Sequence, residues 1–351
     1  MARKEVIEKK DDPKILLSPK GKSAKIPDLG NSLKLNYLRR ESVLIALIVV
    51  VISIFLILFL TSKTADNPTL FNILGTCGDG SINNSCSLIK PYFCDSGILY
   101  RNASKCGCTQ GFTFFNDDCK SNFNSNPKNI TLKYLLHGNS HEFNYSVYFG
   151  VVEYLFNISK SISYSRGEGI LRRDFKMKSL NEDKQRDFIL PLVAEIQNLT
   201  KNKEDQLRIA VSLVQNIPFN YSNKTIYVGN TFVNDSRYPY EVLYYLQGIC
   251  GEKSELLAFL LRELGYDVAF LYYPSENHEA IGVRCPIEMS VHGTGYCFIE
   301  TSGPAVISDD RLTYAGGIKL NSIPEVIRIS DGISLQNNLR EYEDAKFLKG
   351  I

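Results

Sequence analysis

The sequence predicts an α+β protein: a cysteine-bearing helix packed on an antiparallel sheet, preceded by a membrane-spanning helix and a small disulfide-rich module. Three observations predict it. Residues 43–60 form an apolar run, six of the nine cysteines crowd between Cys77 and Cys119, and residues 250–304 pass from helical patterning that starts at Cys250 to strand-like patterning after Gly265. With 351 residues, 44% apolar and 22% charged, the chain suffices for one or two globular domains and is neither fully disordered nor a multi-span transporter. The net charge of +2 gives no reason to expect a nucleic-acid partner.

Residues 1–41 read as a basic cytosolic tail, the first 40 holding 11 Lys/Arg against 5 Asp/Glu. Residues 42–62 carry no charge, and 18 apolar residues at ~1.5 Å each reach about 27 Å, close to the thickness of a bilayer core. A secretory signal fits less well, because the preceding segment and the apolar run are too long and no small-x-small cleavage site follows. Lys34, Arg39 and Arg40 precede the run and only Lys63 follows closely, so the positive-inside rule places the N-terminus in the cytosol. The expectation is a single-pass cell-membrane protein whose partner is the lipid bilayer, with a stalk at 63–75 and extracytoplasmic domains beyond it.

The next segment, 76–120, holds Cys77, Cys86, Cys94, Cys106, Cys108 and Cys119. Such density fits an oxidising compartment and up to three bridges of unresolved pairing; zinc is disfavoured because the segment has neither a C-x-x-C pair nor a histidine. Nine sequons, at Asn83, Asn102, Asn129, Asn144, Asn157, Asn198, Asn220, Asn223 and Asn234, all follow the apolar run, consistent with a glycosylated exterior. A polar connector after Cys119 marks a boundary, and 121–186 reads as a linker and strand-rich entry region from its Tyr, Phe and Val runs. Two helices then open a third domain at 187–351, the first entered at Pro191 and the second capped by Asn202.

Within that domain, Leu257, Leu260, Leu261 and Leu264 have helical spacing and Gly265 supplies a stop, which places Cys250 at the helix start. Unpaired N–H groups there favour a thiolate. A strand at VAFLYY, a second opened by His278 and a third carrying Glu300 follow, and a helix laid across them brings Cys250 against His278. Of the other histidines, His292 sits in a turn, while Gly138 and Asn139 break any helix that would make His137 and His141 a metal pair. Cys285 and Cys297 form either a fourth bridge, leaving Cys250 unpaired, or two buried thiols. The hairpin register presents a conflict, since His278 with Glu300 and Cys285 with Cys297 imply index sums that differ by four.

The blocks YYLQGICGEKS, NHEAIGV and FIETSGP resemble the transglutaminase-like superfamily, in the form found in membrane-anchored archaeal proteins. The resemblance covers roughly 187–310 and implies a papain-like triad: Cys250 as nucleophile, His278 as general base and acid, and Glu300, where the family more often has Asp, orienting the imidazole. No tryptophan is present, so the indole that animal transglutaminases place near the oxyanion is missing; Gln247, Tyr245, Tyr221 and the Cys250 N–H are the candidate donors. The implied activity is amide-bond acyl transfer through a thioester on a protein or peptide substrate, hydrolytic by default or transamidating, without metal or cofactor. The alternative is a surface-binding or adhesion module with a vestigial triad.

Overall fold

The structure, a computed structural model, describes residues 75–341 apart from 159, 164, 166–168, 229, 311–318, 337 and 338. Residues from Thr69 onward form one compact unit. The expected membrane-anchored architecture is corrected on one point: among the described residues no helix is long and apolar enough to cross a membrane. The span expected at 42–62 lies outside the described residues, as do the tail and nearly all of the stalk. The single-pass topology, the bilayer partner and the cell-membrane localisation that rested on that span are not carried forward.

In the cysteine-rich segment, β1 (Ser85–Cys86), β2 (Tyr92–Asp95) and β3 (Ile98–Arg101) form an antiparallel sheet, α1 (Ala103–Cys106) follows, and β4 (Thr113–Phe115) pairs with β5 (Asp118–Lys120). The six cysteines close as Cys77–Cys94, Cys86–Cys106 and Cys108–Cys119, bridges that form in oxidising surroundings. The segment does not rely on its bridges alone. Tyr92 and Leu99 are buried in the same apolar cluster as Ile189, Leu192 and Ile196 of the main helices. Asn198 both accepts from the Leu99 N–H and donates to the Leu99 carbonyl, each at 2.8 Å, so this sequon side chain is committed to joining the two regions. At Gly78 a Cβ would lie 1.8 Å from the Gln197 carbonyl oxygen, which explains a glycine at this close approach.

The ten-residue strands β6 (Pro127–Leu136) and β7 (Asn139–Tyr148) form a hairpin whose two-residue turn, His137 and Gly138, has positive φ at both positions. His137 meets Asp205 at 3.0 Å and His141 stacks on Tyr134, so the two histidines have separate partners. The expected strand-rich region also holds two helices, α2 (Phe149–Phe156) and α3 (Arg172–Leu180). FGVVEYLF has strand-like composition, yet Gly150, Val151, Val152 and Leu155 bury one helical face, and packing overrides propensity. Then come α4 (Asp183–Leu199) and α5 (Lys203–Gln215). Pro191 lies inside α4 rather than in its first turn, because the helix begins eight residues earlier beside the capping Glu182. Asn202 caps α5 as expected, its side chain accepting from the Asp205 N–H at 3.1 Å.

The hairpin β8 (Thr225–Val228) and β9 (Thr231–Asn234) leads to α6 (Pro239–Tyr245) and α7 (Cys250–Glu263). Beyond α7 lie β10 (Val268–Tyr273), β11 (His278–Arg284), β12 (Tyr296–Ile299) and β13 (Glu325–Arg328), joined as an antiparallel sheet in the order β12-β11-β10-β13. Every residue of α7 from Glu252 to Leu261 is buried, so this helix has no solvent face and lies inside the domain against the sheet. Its leucines share a cluster with Phe270, Ile281 and Val283, while Ala269, Leu271, Ala280 and Phe298 form a second cluster.

The register conflict resolves without a bulge. The β11–β12 ladder pairs Ile281 with Ile299 and Val283 with Cys297, an index sum midway between the two implied by the site and the bridge. His278 and Glu300 are therefore diagonal neighbours on the even-numbered positions, and Cys285 and Cys297 are diagonal neighbours on the odd-numbered ones. Cys285–Cys297 is a disulfide, and Cys250 is the free cysteine among the described residues.

Candidate active site

Cys250 is the first residue of α7, after a loop held by Phe219 and Gly248, whose backbones pair in parallel. At Gly248 a Cβ would press to 3.2 Å on the Lys253 side chain, so the turn into the helix is tight. The Glu252 carboxylate reaches back to the Ile249 N–H at 3.1 Å and also accepts from the Arg237 N–H at 2.7 Å, fixing the helix entry. As the first helical residue, Cys250 has no preceding carbonyl in the helix to take its N–H.

His278 opens β11 and is 8% exposed; its Nε2 lies 3.0 Å from Glu300 Oε2. It also hydrogen-bonds Cys250, which leaves Nδ1 as the ring nitrogen serving the sulfur. Burial disfavours the charged imidazolium, but hydrogen bonds to Cys250 and Glu300, together with their charges, outweigh it and push the His278 pKa up to about 9. Burial also works against an ionised Glu300, yet the imidazole and the donors at Ser302 hold its carboxyl below the usual range. Glu300 Oε1 accepts from the N–H groups of Thr301 at 2.9 Å and Ser302 at 2.6 Å, so the carboxylate cannot rotate away from the histidine without losing both. The one-methylene-longer acid is thus accommodated.

Two residues missed in the sequence clamp helix to sheet. The Ser254 hydroxyl donates to Thr301 Oγ1 at 2.9 Å, and the Thr301 proton goes on to the Cys250 carbonyl at 3.3 Å. The Glu279 carbonyl, 3.3 Å from the Ser254 hydroxyl, is its alternative acceptor, so the start of α7 is tied to β11 and to the residues just after β12. Lys253 is fully buried beneath them, its ammonium donating to the carbonyls of Ile217 at 2.6 Å and Ser302 at 3.1 Å. Desolvation pulls its pKa down to about 8 against the raising charges of Glu300 and Cys250. Lys253→Met should leave those carbonyls without their donor and cost about 2 kcal/mol, read as a lower urea midpoint with an unchanged slope. An unchanged midpoint would remove lysine from this role.

Cys250 and His278 line a cavity of about 570 Å³, with Phe219 and Tyr221 among the other lining residues. Of the three expected side-chain oxyanion donors only Tyr221 lines it. Gln247 is engaged by Asn220 Nδ2 at 2.9 Å, and Tyr245 packs edge-on against Tyr244; neither lines the cavity. Around the helix entry lies an ionic network that sequence reading also missed. Glu255 accepts from Lys160 at 3.0 Å, Lys176 at 2.9 Å and Ser179 at 2.5 Å, and Lys176 also meets Glu279 at 2.7 Å. His292 plays no part in the cavity, lying in the turn between β11 and β12.

No family model matches the chain, and comparison with curated proteins finds no match.

Proposed function

We propose that this chain is a transglutaminase-like cysteine acyl-transfer enzyme that cleaves an amide bond of a protein or peptide through a thioester. The observation that carries the reading is His278, hydrogen-bonded to Cys250 on one side and to buried Glu300 on the other, in the wall of a cavity. In the proposed sequence the Cys250 thiol gives its proton to His278 and the sulfur bonds to the amide carbon, with the oxyanion facing the Cys250 N–H. The C–N bond breaks as His278 gives its proton to the departing amine. Water then attacks the thioester, loses a proton to His278 and releases the carboxylate with the sulfur restored. Hydrolysis is preferred over transamidation because excluding water requires a closed site, and Tyr221 in the cavity wall is 72% exposed.

The test is selective alkylation of the intact chain by iodoacetamide at pH 6. Cys250 is expected to react at least tenfold faster than a model thiol, and His278→Ala to lose most of that advantage, whereas His292→Ala keeps it. Reaction no faster than a model thiol would replace this reading with a binding module whose triad is vestigial.

A further inference from the structure

The cavity beside Cys250 contains four glutamates, one lysine and one arginine, and all but the arginine are committed to partners of opposite charge or to backbone N–H groups. Glu252 is held by Arg237 at 3.2 Å and by backbone N–H groups. Glu255 and Glu279 share Lys176, and Lys160 completes the pairing at Glu255. Glu276 accepts from the N–H groups of Asn321 and Ser322, each at 3.0 Å, and from the Ser322 hydroxyl at 2.5 Å. Arg172 makes no direct ion pair among the described residues, although its charge acts on Glu279; its guanidinium lies 3.5 Å from the centre of the Tyr272 ring.

The position of Arg172 follows from the elements around it. It opens α3 one turn before Lys176, so the two side chains leave the helix on one face, toward the cavity. Tyr272 pairs across the β10–β11 ladder with Glu279, and both line the cavity together with Arg172 and His278. Stacking on the ring holds the planar fork in place while its N–H edges stay available, the geometry that suits bidentate recognition of a carboxylate.

We infer that Arg172 is a specificity residue for an anionic group on the substrate, a carboxylate supplied by an acidic side chain or by a peptide C-terminus. This rests on the acyl-transfer reading, since it takes the cavity to be where substrate meets Cys250. A carboxylate entering here would find one cation without a direct ion pair, and every lining carboxylate already hydrogen-bonded, among the described lining residues.

The experiment compares alkylation of Cys250 in the full chain by iodoacetate and by iodoacetamide, reagents of similar size that differ in charge. Their rate ratio isolates the effect of charge in the cavity. Arg172→Ala should lower the iodoacetate-to-iodoacetamide ratio about fivefold or more, Arg172→Glu should lower it further, and Arg172→Lys should restore part of it. Two peptides, one with an internal glutamate and an amidated end, the other without acidic side chains but with a free C-terminus, are then tested as protectants. Protection of the wild type that is lost in Arg172→Ala identifies which carboxylate is read. If both reagents label Cys250 rapidly but the ratio is the same in all Arg172 variants, or neither peptide protects, this inference is overturned while the acyl-transfer reading stands. Slow labelling by both reagents would overturn the acyl-transfer reading itself.

Discussion

Glu300→Gln is expected to reduce turnover at Cys250 by about 10²–10⁴-fold while leaving a folded protein. Glutamine fills the same volume, and its carbonyl oxygen keeps the N–H bonds from Thr301 and Ser302. The substituted amide nitrogen then faces His278 Nε2, where Glu300 Oε2 now lies at 3.0 Å. An amide N–H there is a donor, so Nε2 must accept and the ring proton moves to Nδ1. The nitrogen beside Cys250 can then no longer take the thiol proton. The effect is one of tautomer and charge, so it separates catalysis from packing.

The same pair sets a pH dependence of stability. His278 has a folded pKa of about 9 against an ordinary 6.5. Its contribution is therefore fully present below about pH 6.5 and disappears as pH rises through about 9; the size is roughly 3 kcal/mol for the coupled pair. Denaturation midpoints of the wild type should fall across that window, and Glu300→Gln should make the fall shallower, because the imidazolium loses one counter-charge and keeps only the contribution of Cys250. A variant with near wild-type turnover and the same pH profile would move the acidic role elsewhere.

How much of this was legible in the sequence depended on whether a residue's role was local. Cys250 at a helix start follows from leucine spacing and a glycine stop, and His278 and Glu300 from strands of alternating or apolar residues, all short-range patterns. The Cys285–Cys297 bridge conflicted with them only because opposed pairing was assumed; diagonal neighbours allow one register to hold both pairs. The buried run Glu252–Lys253–Ser254–Glu255 was not legible. Adjacent charges at a helix start read as a solvated turn, and only the packing of α3, α6 and the β11–β12 edge around α7 removes them from water. Their partners Lys160, Lys176 and Arg237 come from 15 to 95 residues away, a pairing that no local pattern encodes. The same holds for the cysteine-rich segment: its spacing indicates disulfides, but the burial of Tyr92 and Leu99 with Ile189 depends on tertiary contacts.

The largest stability effect is expected at Glu255. Its side chain is 7% exposed and pairs with two ammonium groups, Lys160 and Lys176, whose side chains are 11% and 12% exposed. Burial raises a carboxyl pKa, yet the two lysines and the Ser179 hydroxyl hold Glu255 down to about 2. Glu255→Ala leaves Lys160 with only neutral acceptors, the Ser236 hydroxyl and the Arg237 carbonyl, and leaves Lys176 with Glu279 alone. Removing one member of a buried ionic cluster typically costs about 3–5 kcal/mol. That loss should be seen above about pH 4.5, where the native carboxylate is ionised in both folded and unfolded chains, and should shrink as pH falls toward about 2. Glu255→Gln keeps an acceptor but not the charge and should fall between the two. Because Glu255 lies in the same helix one turn after Cys250, the alanine variant should also slow iodoacetamide labelling of Cys250 at temperatures where it remains folded. Urea midpoints of wild type and Glu255→Ala that coincide at pH 7 would show that the lysines are solvated and that the network does not hold the helix entry in place.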